Sequence, residues 1–364
     1  MATWTRAIPA AATAAAMFLL AACGSAPAAS PASSVPASAP AISPKTSASR
    51  PASAAGSAAS SAGSAAASGL LPIKAAYSQV TASQGVLYTA VDQKFFQKYG
   101  LDVTATQING TQQVPAIVNG ELQFGTPGGN ELLTANAGGE QLVMLAASSN
   151  VPVLSLYGMK GITDVKQLAG KAVAVTTAGS ATDAAAKLFL KHYGLDQQVK
   201  TQPAGSSQAI LAVLLNGDAA GGILAPPTST EAEKAGLKQL VNGPTAGVPF
   251  VEAGTAVTRS YLQSNPDVVK RYMEGYYAAW KFATDKANEA AVEQTIVKWT
   301  KTDMATAKIA YDYLLPAWSE KGMPEVSLDG LKSIAEISPN PKAKDVDLNK
   351  IVDNSILQAI EAGH

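Results

Sequence analysis

The chain has 364 residues, with 27 basic side chains against 27 acidic ones and a formal net charge of zero. The first seventy residues hold three of the bases, Arg6, Lys45 and Arg50, and no acid. This leaves the other 294 residues with 24 bases against 27 acids, a net of −3. No basic field is available for a nucleic-acid backbone. The single cysteine, Cys23, excludes intramolecular disulfides, a cysteine zinc site and a thiol nucleophile elsewhere in the chain.

Residues 1–22 have the layout of an export signal: Arg6 is the positive end, an almost uncharged apolar stretch runs to Leu20, and small residues follow. The stretch is short for a permanent membrane span. Leu20-Ala21-Ala22-Cys23 resembles a bacterial lipobox, which implies that Cys23 is lipidated and holds the chain to a membrane. In residues 24–70, 41 of 47 positions are Ala, Gly, Pro or Ser. Such a segment has little to bury and is expected to be a disordered tether, spanning roughly 35–40 Å as a flexible coil.

From Leu71 the texture changes. A buried strand is predicted at 73–77. A helix follows, carrying Tyr88, Val91, Phe95 and Tyr99 and closed by Gly100. Strand 101–107, helix 112–119, strand 122–124, helix 130–137 and strand 141–147 come next. The pattern restarts with strands 153–157 and 171–176, helix 181–193, strand 199–202, helix 207–215 and strand 220–224. Strands alternating with helices at this spacing imply an α/β fold with mostly parallel sheets covered on both faces. After about Glu252 the strands nearly stop. Asn265-Pro266 reads as a helix start with Asn as cap, and Val269, Tyr272, Tyr276, Ala279 and Ala283 form that helix's buried stripe. Helices at 288–299, 304–315, 328–337 and 348–362 complete the chain and are expected to pack back on the first series.

In open α/β sheets, ligands bind at strand carboxyl ends, where helix N-termini present unpaired N–H groups. Five such turns stand out, at 78–84, 109–112, 126–130, 177–182 and 204–207. Each mixes Gly with Ser, Thr, Asn or Gln, and each residue could equally cap its own helix. Ser180 is followed by Asp183 at capping-box spacing, which commits its hydroxyl and puts an acid in the first turn, weakening an anion site there. Thr111 and Ser206 lack such an acid, so their helix ends look freer. Thr111, Gln112, Ser206 and Ser207 therefore rank with Ser180 as candidates, and Gly179 is a close-approach point. Catalysis has no comparable signature. The histidines are His192, in a last helical turn, and the terminal His364; zinc-protease, nucleophile-elbow and phosphate-loop motifs are missing, and no paired carboxylates are singled out. No cofactor or metal is implied.

Four phrases carry a resemblance: Phe95-Phe96-Gln97-Lys98-Tyr99-Gly100-Leu101-Asp102-Val103, Val118 to Gly125, Gly179-Ser180-Ala181-Thr182, and Leu214-Leu215-Asn216-Gly217-Asp218. With the signal, the cysteine and the tether, the chain resembles a substrate-binding lipoprotein of an ABC importer. The branch is that of nitrate, sulfonate, taurine and thiamine-pyrimidine binding proteins with the type 2 periplasmic-binding fold. The resemblance covers about residues 72–320. It implies a two-lobe clamp with lobe one at 71–150 plus 250–364, lobe two at 151–249, and hinge crossings near 148–152 and 244–252. Mapped onto this chain, the cleft would be lined by Gln79, Ser83, Thr111, Gly128, Asn130, Thr177, Gly179 and Thr182. Tyr77 is placed to stack on a ring and Glu252 to accept from an amine. The implied role is capture of a small organic solute, such as a sulfonate, nitrate, an aromatic acid or a pyrimidine, by a monomer on the outer face of the membrane, with an ABC permease as partner. A ligand-sensing surface lipoprotein is the alternative; a pyrimidine synthase is disfavoured because its cysteine-rich, histidine-bearing site has no counterpart.

Overall fold

Buried apolar runs build the strands. In the computed structural model, which describes residues 69–319 and 323–363, β1 (Leu71–Tyr77) leads through α1 (Gly85–Asp92) and α2 (Phe95–Lys98) to β2 (Leu101–Gln107). Then come α3 (Gly110–Val118), α4 (Gly129–Ala137) and β3 (Leu142–Ala147), whose six residues are all buried. The export signal, Cys23 and nearly all of the tether lie outside the described residues.

β1 and β2 pair in parallel. The expected strand at 122–124 contracts to Phe124 and Gly125, which bridge Ala75 on one side and Ala256 on the other. That pair joins β1 to β9 (Gly254–Thr258), which runs antiparallel to β3, and Val352 bridges Met144 at the far edge. The first lobe is thus one sheet stitched together by single-residue bridges.

The second lobe holds β4 (Ser155–Gly158), β5 (Ala172–Val175), α5 (Ala181–His192), β6 (Lys200–Pro203), α6 (Ser207–Asn216), β7 (Gly221–Leu224), α7 (Thr228–Lys234) and β8 (Lys238–Val241). Its sheet order is β6-β5-β7-β4-β8. β5 is parallel to both β6 and β7, whereas β4 is antiparallel to β7 and β8. The antiparallel strands β4, β8 and β9 all adjoin the two passages between lobes, where the returning chain reverses direction. These passages, between β3 and β4 and between β8 and β9, run side by side: Phe250 N–H donates to Asn150 O at 3.1 Å and Glu252 N–H to Ser149 O at 3.1 Å.

Among the described residues seven α-helices follow β9: α8 (Arg259–Ser264), α9 (Pro266–Thr284), α10 (Glu289–Thr300), α11 (Met304–Ser319), α12 (Leu328–Ile337), and α13 (Leu348–Ile351) with α14 (Ser355–Ala362) in place of a single helix at 348–362. The first of these pack on lobe one as expected. Tyr272 of α9 stacks on Phe124 with centroids 3.7 Å apart and on Phe96 at 4.6 Å. α12 is different, touching α4 of lobe one and α5 of lobe two. Among the described residues no helix is long and apolar enough to cross a membrane.

Three local expectations need correction. The helix predicted through Tyr88 and Tyr99 breaks at Lys94, whose φ of 57° is left-handed. The break re-aims the chain so that Phe95 and Phe96, which would diverge by about 100° on one helix, are both buried. Asn265 does not cap α9; its side-chain amide donates to Tyr261 O, while Pro266 does occupy the first helical position. And β8 and α7 are absent from the predicted elements, whereas after Glu252 only β9 precedes the helices, so the strands do nearly stop there among the described residues.

Candidate functional site

The turns at the strand ends of the two lobes meet along a seam rich in buried hydroxyl, amide and carboxyl groups. Ser207, at the first turn of α6, donates to Gln79 Oε1 across it at 3.3 Å, and Ala82 N–H donates to Pro226 O at 3.3 Å. Asn130 of α4 donates its amide to Gly179 O, the turn that opens α5. Gly128 is closely hemmed in at the seam. A Cβ there would lie 2.5 Å from Glu131 Oε2, 3.0 Å from Glu252 O and 3.3 Å from the Ala181 Cβ. Gly179 has φ of 74°, so the turn needs glycine for a different reason, a left-handed backbone.

The other sequence candidates divide by environment. Ser83 is half-buried and its hydroxyl lies 2.7 Å from that of Thr81. Ser180 is committed to its own helix as expected, accepting from Asp183 N–H and donating to Thr177 O at 2.8 Å. Thr182 Oγ1 accepts from Thr176 N–H at 2.9 Å, so Thr176, Thr177, Ser180 and Thr182 form a closed knot of hydroxyl bonds. Ser206 is a correction: its hydroxyl caps α6 by accepting from Ala209 N–H at 3.1 Å and is not freer than Ser180. Thr111 and Gln112 are exposed, although Thr111 lines a cavity between the lobes. The buried neighbour is Gln113, which donates to Ile108 O at 2.8 Å and accepts from Thr126 N–H at 2.8 Å. His192 is exposed against Tyr193, away from the seam. Tyr77 stacks within the protein, edge-on to Tyr88 at 5.1 Å and to Trp299 at 5.7 Å.

Two carboxyls at the seam are strongly perturbed. Glu252, on the second passage, accepts from Val153 N–H at 3.3 Å. Burial pushes its pKa up to about 8, that amide pulls it down, and the Glu131 charge adds to the rise. Glu131 went unremarked in the sequence because an acid in a first helical turn ordinarily serves the helix dipole. Its pKa is pushed up to about 7 by burial, against the pull of the backbone amides of Glu131 itself, Gly128 and Ala181, and the nearby Asp183 charge raises it further. Asp183 accepts from Gly179 N–H at 2.9 Å and pairs with Lys187 at 2.7 Å, all through Oδ2. The two arginines of the folded part are bound elsewhere, Arg259 to Lys350 O and Arg271 to Asp267 and Tyr99 O. No arginine fork is thus presented to a ligand at the seam, and among the described residues no cluster of three or more His, Cys, Asp or Glu is placed to hold a metal.

A cavity of about 300 Å³ opens at one flank of the seam, between α3 and α4 of lobe one, α5 of lobe two and the end of α12. Asn130, Glu131, Gly179 and Asp183 are in its wall, beside Val114, Pro115, Ile334 and Ile337.

The sequence matches the family model described as NMT1/THI5 like over residues 82–290, more than half of the chain. No curated protein sequence gives a significant match. Solved structures with a similar fold include the periplasmic nitrate-binding protein NrtA from Synechocystis, at 12% identity and a TM-score of 0.68 over 81% of this chain and 89% of that one. The alkanesulfonate-binding protein SsuA from Xanthomonas axonopodis pv. citri, bound to MOPS, is 17% identical, with a TM-score of 0.61 over 79% of this chain and 97% of that one. A protein from Bordetella bronchiseptica is 20% identical, with a TM-score of 0.68 over 80% and 97%.

Proposed function

The chain belongs to the NMT1/THI5-like family, and from that premise we propose that it is the solute-binding lipoprotein of an ABC importer, a receptor and not an enzyme. The observation that carries this reading is the seam: two lobes joined by two adjacent passages, with polar turns from both reaching the same line. Such an arrangement holds a solute by contacts to both lobes, and each contact favours the closed form. The fold shared with nitrate- and alkanesulfonate-binding proteins supports the same role. In this reading lobe one comprises 71–150 and 250–364, lobe two 151–249, and the passages near 148–152 and 244–252 are the hinge. Gln79, Ser83, Asn130, Thr177, Gly179, Ser207 and Glu252 face the solute or brace those that do. Cys23 carries the lipid, the tether lets the clamp move over the outer face of the membrane, and a permease receives the closed form.

Two measurements test it. A thermal-shift panel of organic solutes should yield one that raises Tm by linkage, and small-angle scattering should show compaction with that solute. A panel without a shift, paired with unchanged scattering, would remove solute capture. Separately, Cys23→Ser should move the chain from the membrane fraction to the soluble one; continued sedimentation with membranes would exclude the lipid anchor.

A further inference from the structure

The N-termini of three helices of at least nine residues converge at the flank cavity: α3 from Gly110, α4 from Gly129 and α5 from Ala181. Unpaired N–H groups and aligned dipoles make such a place attractive to a negative group. Here the negative group belongs to the chain. Glu131 reaches into it so closely that a side chain at Gly110 would collide with Oε1 and one at Gly128 with Oε2, and the amides of Gly128, Glu131 and Ala181 all act on its carboxyl.

A second observation concerns what remains unpaired. Asn130 Oδ1, Glu131 Oε2 and Asp183 Oδ1 are buried without a hydrogen-bond partner, on residues only 8%, 5% and 1% exposed. All three are acceptors, and all three residues stand in the wall of the same cavity. The Asn130 orientation follows from its amide nitrogen facing Gly179 O. Buried acceptors left unpaired are costly and call for donors. The one cation in the wall, Lys187, is already paired to Asp183.

Building on the solute-binding reading, we propose that Glu131 is an internal occupant of the anion position, so that the clamp rejects small oxyanions and takes a solute with an N–H-donating, positively charged head and an apolar body. The head meets Asn130, Glu131 and Asp183; the body lies against Val114, Pro115, Ile334 and Ile337. Such a solute binds the ionised form of Glu131, so its affinity rises with pH from about 6 to 8, around the raised pKa of that group. The titratable groups facing Glu131 are Asp183 and Lys187 of α5 and Glu252 of the second passage; the cavity residues of α3 and α12 add none.

Calorimetric titration of the whole chain with benzamidinium, ethanesulfonate and nitrate tests this. Benzamidinium should bind the wild type, tighten toward pH 8 and weaken at least about tenfold on Glu131→Gln, with the pH dependence flattened. Glu131→Ala, which vacates the position, should gain at least about tenfold for ethanesulfonate. A wild type that binds ethanesulfonate or nitrate more tightly than benzamidinium overturns the inference and leaves solute capture standing. A chain that binds none of the three, and gains no anion affinity on Glu131→Ala, loses both the inference and solute capture at this seam.

Discussion

Glu131 and Glu252 are carboxyls whose folded pKa values, about 7 and about 8, lie above their ordinary value near 4.5. Between those limits the folded chain holds protons that the unfolded chain has released, so their stabilising contribution is complete below about pH 4.5 and is lost as pH rises toward 8. The solute-free chain should therefore show a Tm that falls from pH 5 to pH 8. Glu252→Gln should flatten that slope and stabilise the chain at pH 8 by on the order of 1–3 kcal/mol, since one pKa unit corresponds to about 1.4 kcal/mol. A Glu252→Gln variant whose Tm follows the wild-type pH profile would show that this carboxyl is ionised at no cost. The two residues were unequally visible in sequence. Glu252 falls at the end of the second hinge crossing, 244–252, that the resemblance implies. Glu131 has no such marker, because two of the groups that act on its carboxyl, the Ala181 amide and the Asp183 charge, lie some fifty residues away in the chain, and no local pattern encodes that.

At the element scale the start of α5 is the most densely bonded part of the site. Thr182 Oγ1 serves Thr176 N–H and lies 2.9 Å from the hydroxyls of both Thr176 and Ser180. Thr182→Val keeps the shape but strands a buried amide, so urea unfolding should show a loss of about 1–3 kcal/mol. A change under about 0.5 kcal/mol would mean that water replaces the hydroxyl. The helices and the parallel strands were largely legible, because period and capping residues are local signals: β2 and the beginning of α5 fall where the spacing puts them. β9 was not. Its Gly-Thr-Ala-Val-Thr run shows no alternation to read, as four of its five residues are buried. The break at Lys94 was equally hidden, since it serves the packing of two phenylalanines against α9 and α1 rather than any preference of lysine.

For the whole molecule the decisive place is where the two passages press together. Gly243 donates its N–H to Ser155 Oγ at 3.0 Å, and a Cβ on it would strike the carbonyl oxygens of Leu154 and Pro152. Both obstacles are backbone, so Gly243→Ala should destabilise by about 3 kcal/mol or more, read from the urea midpoint; an unchanged midpoint would mean that the passages separate freely. α12 adds a constraint of another kind. It packs on α4 and α5 together, and Glu336 at its end pairs with Lys191 of lobe two at 2.7 Å. Lys234 of lobe two likewise donates to Thr306 of α11 at 3.2 Å. In the proposed clamp, separation of the lobes would have to break both of these polar pairs, so the C-terminal helices would act as fasteners on the hinge movement rather than as bystanders.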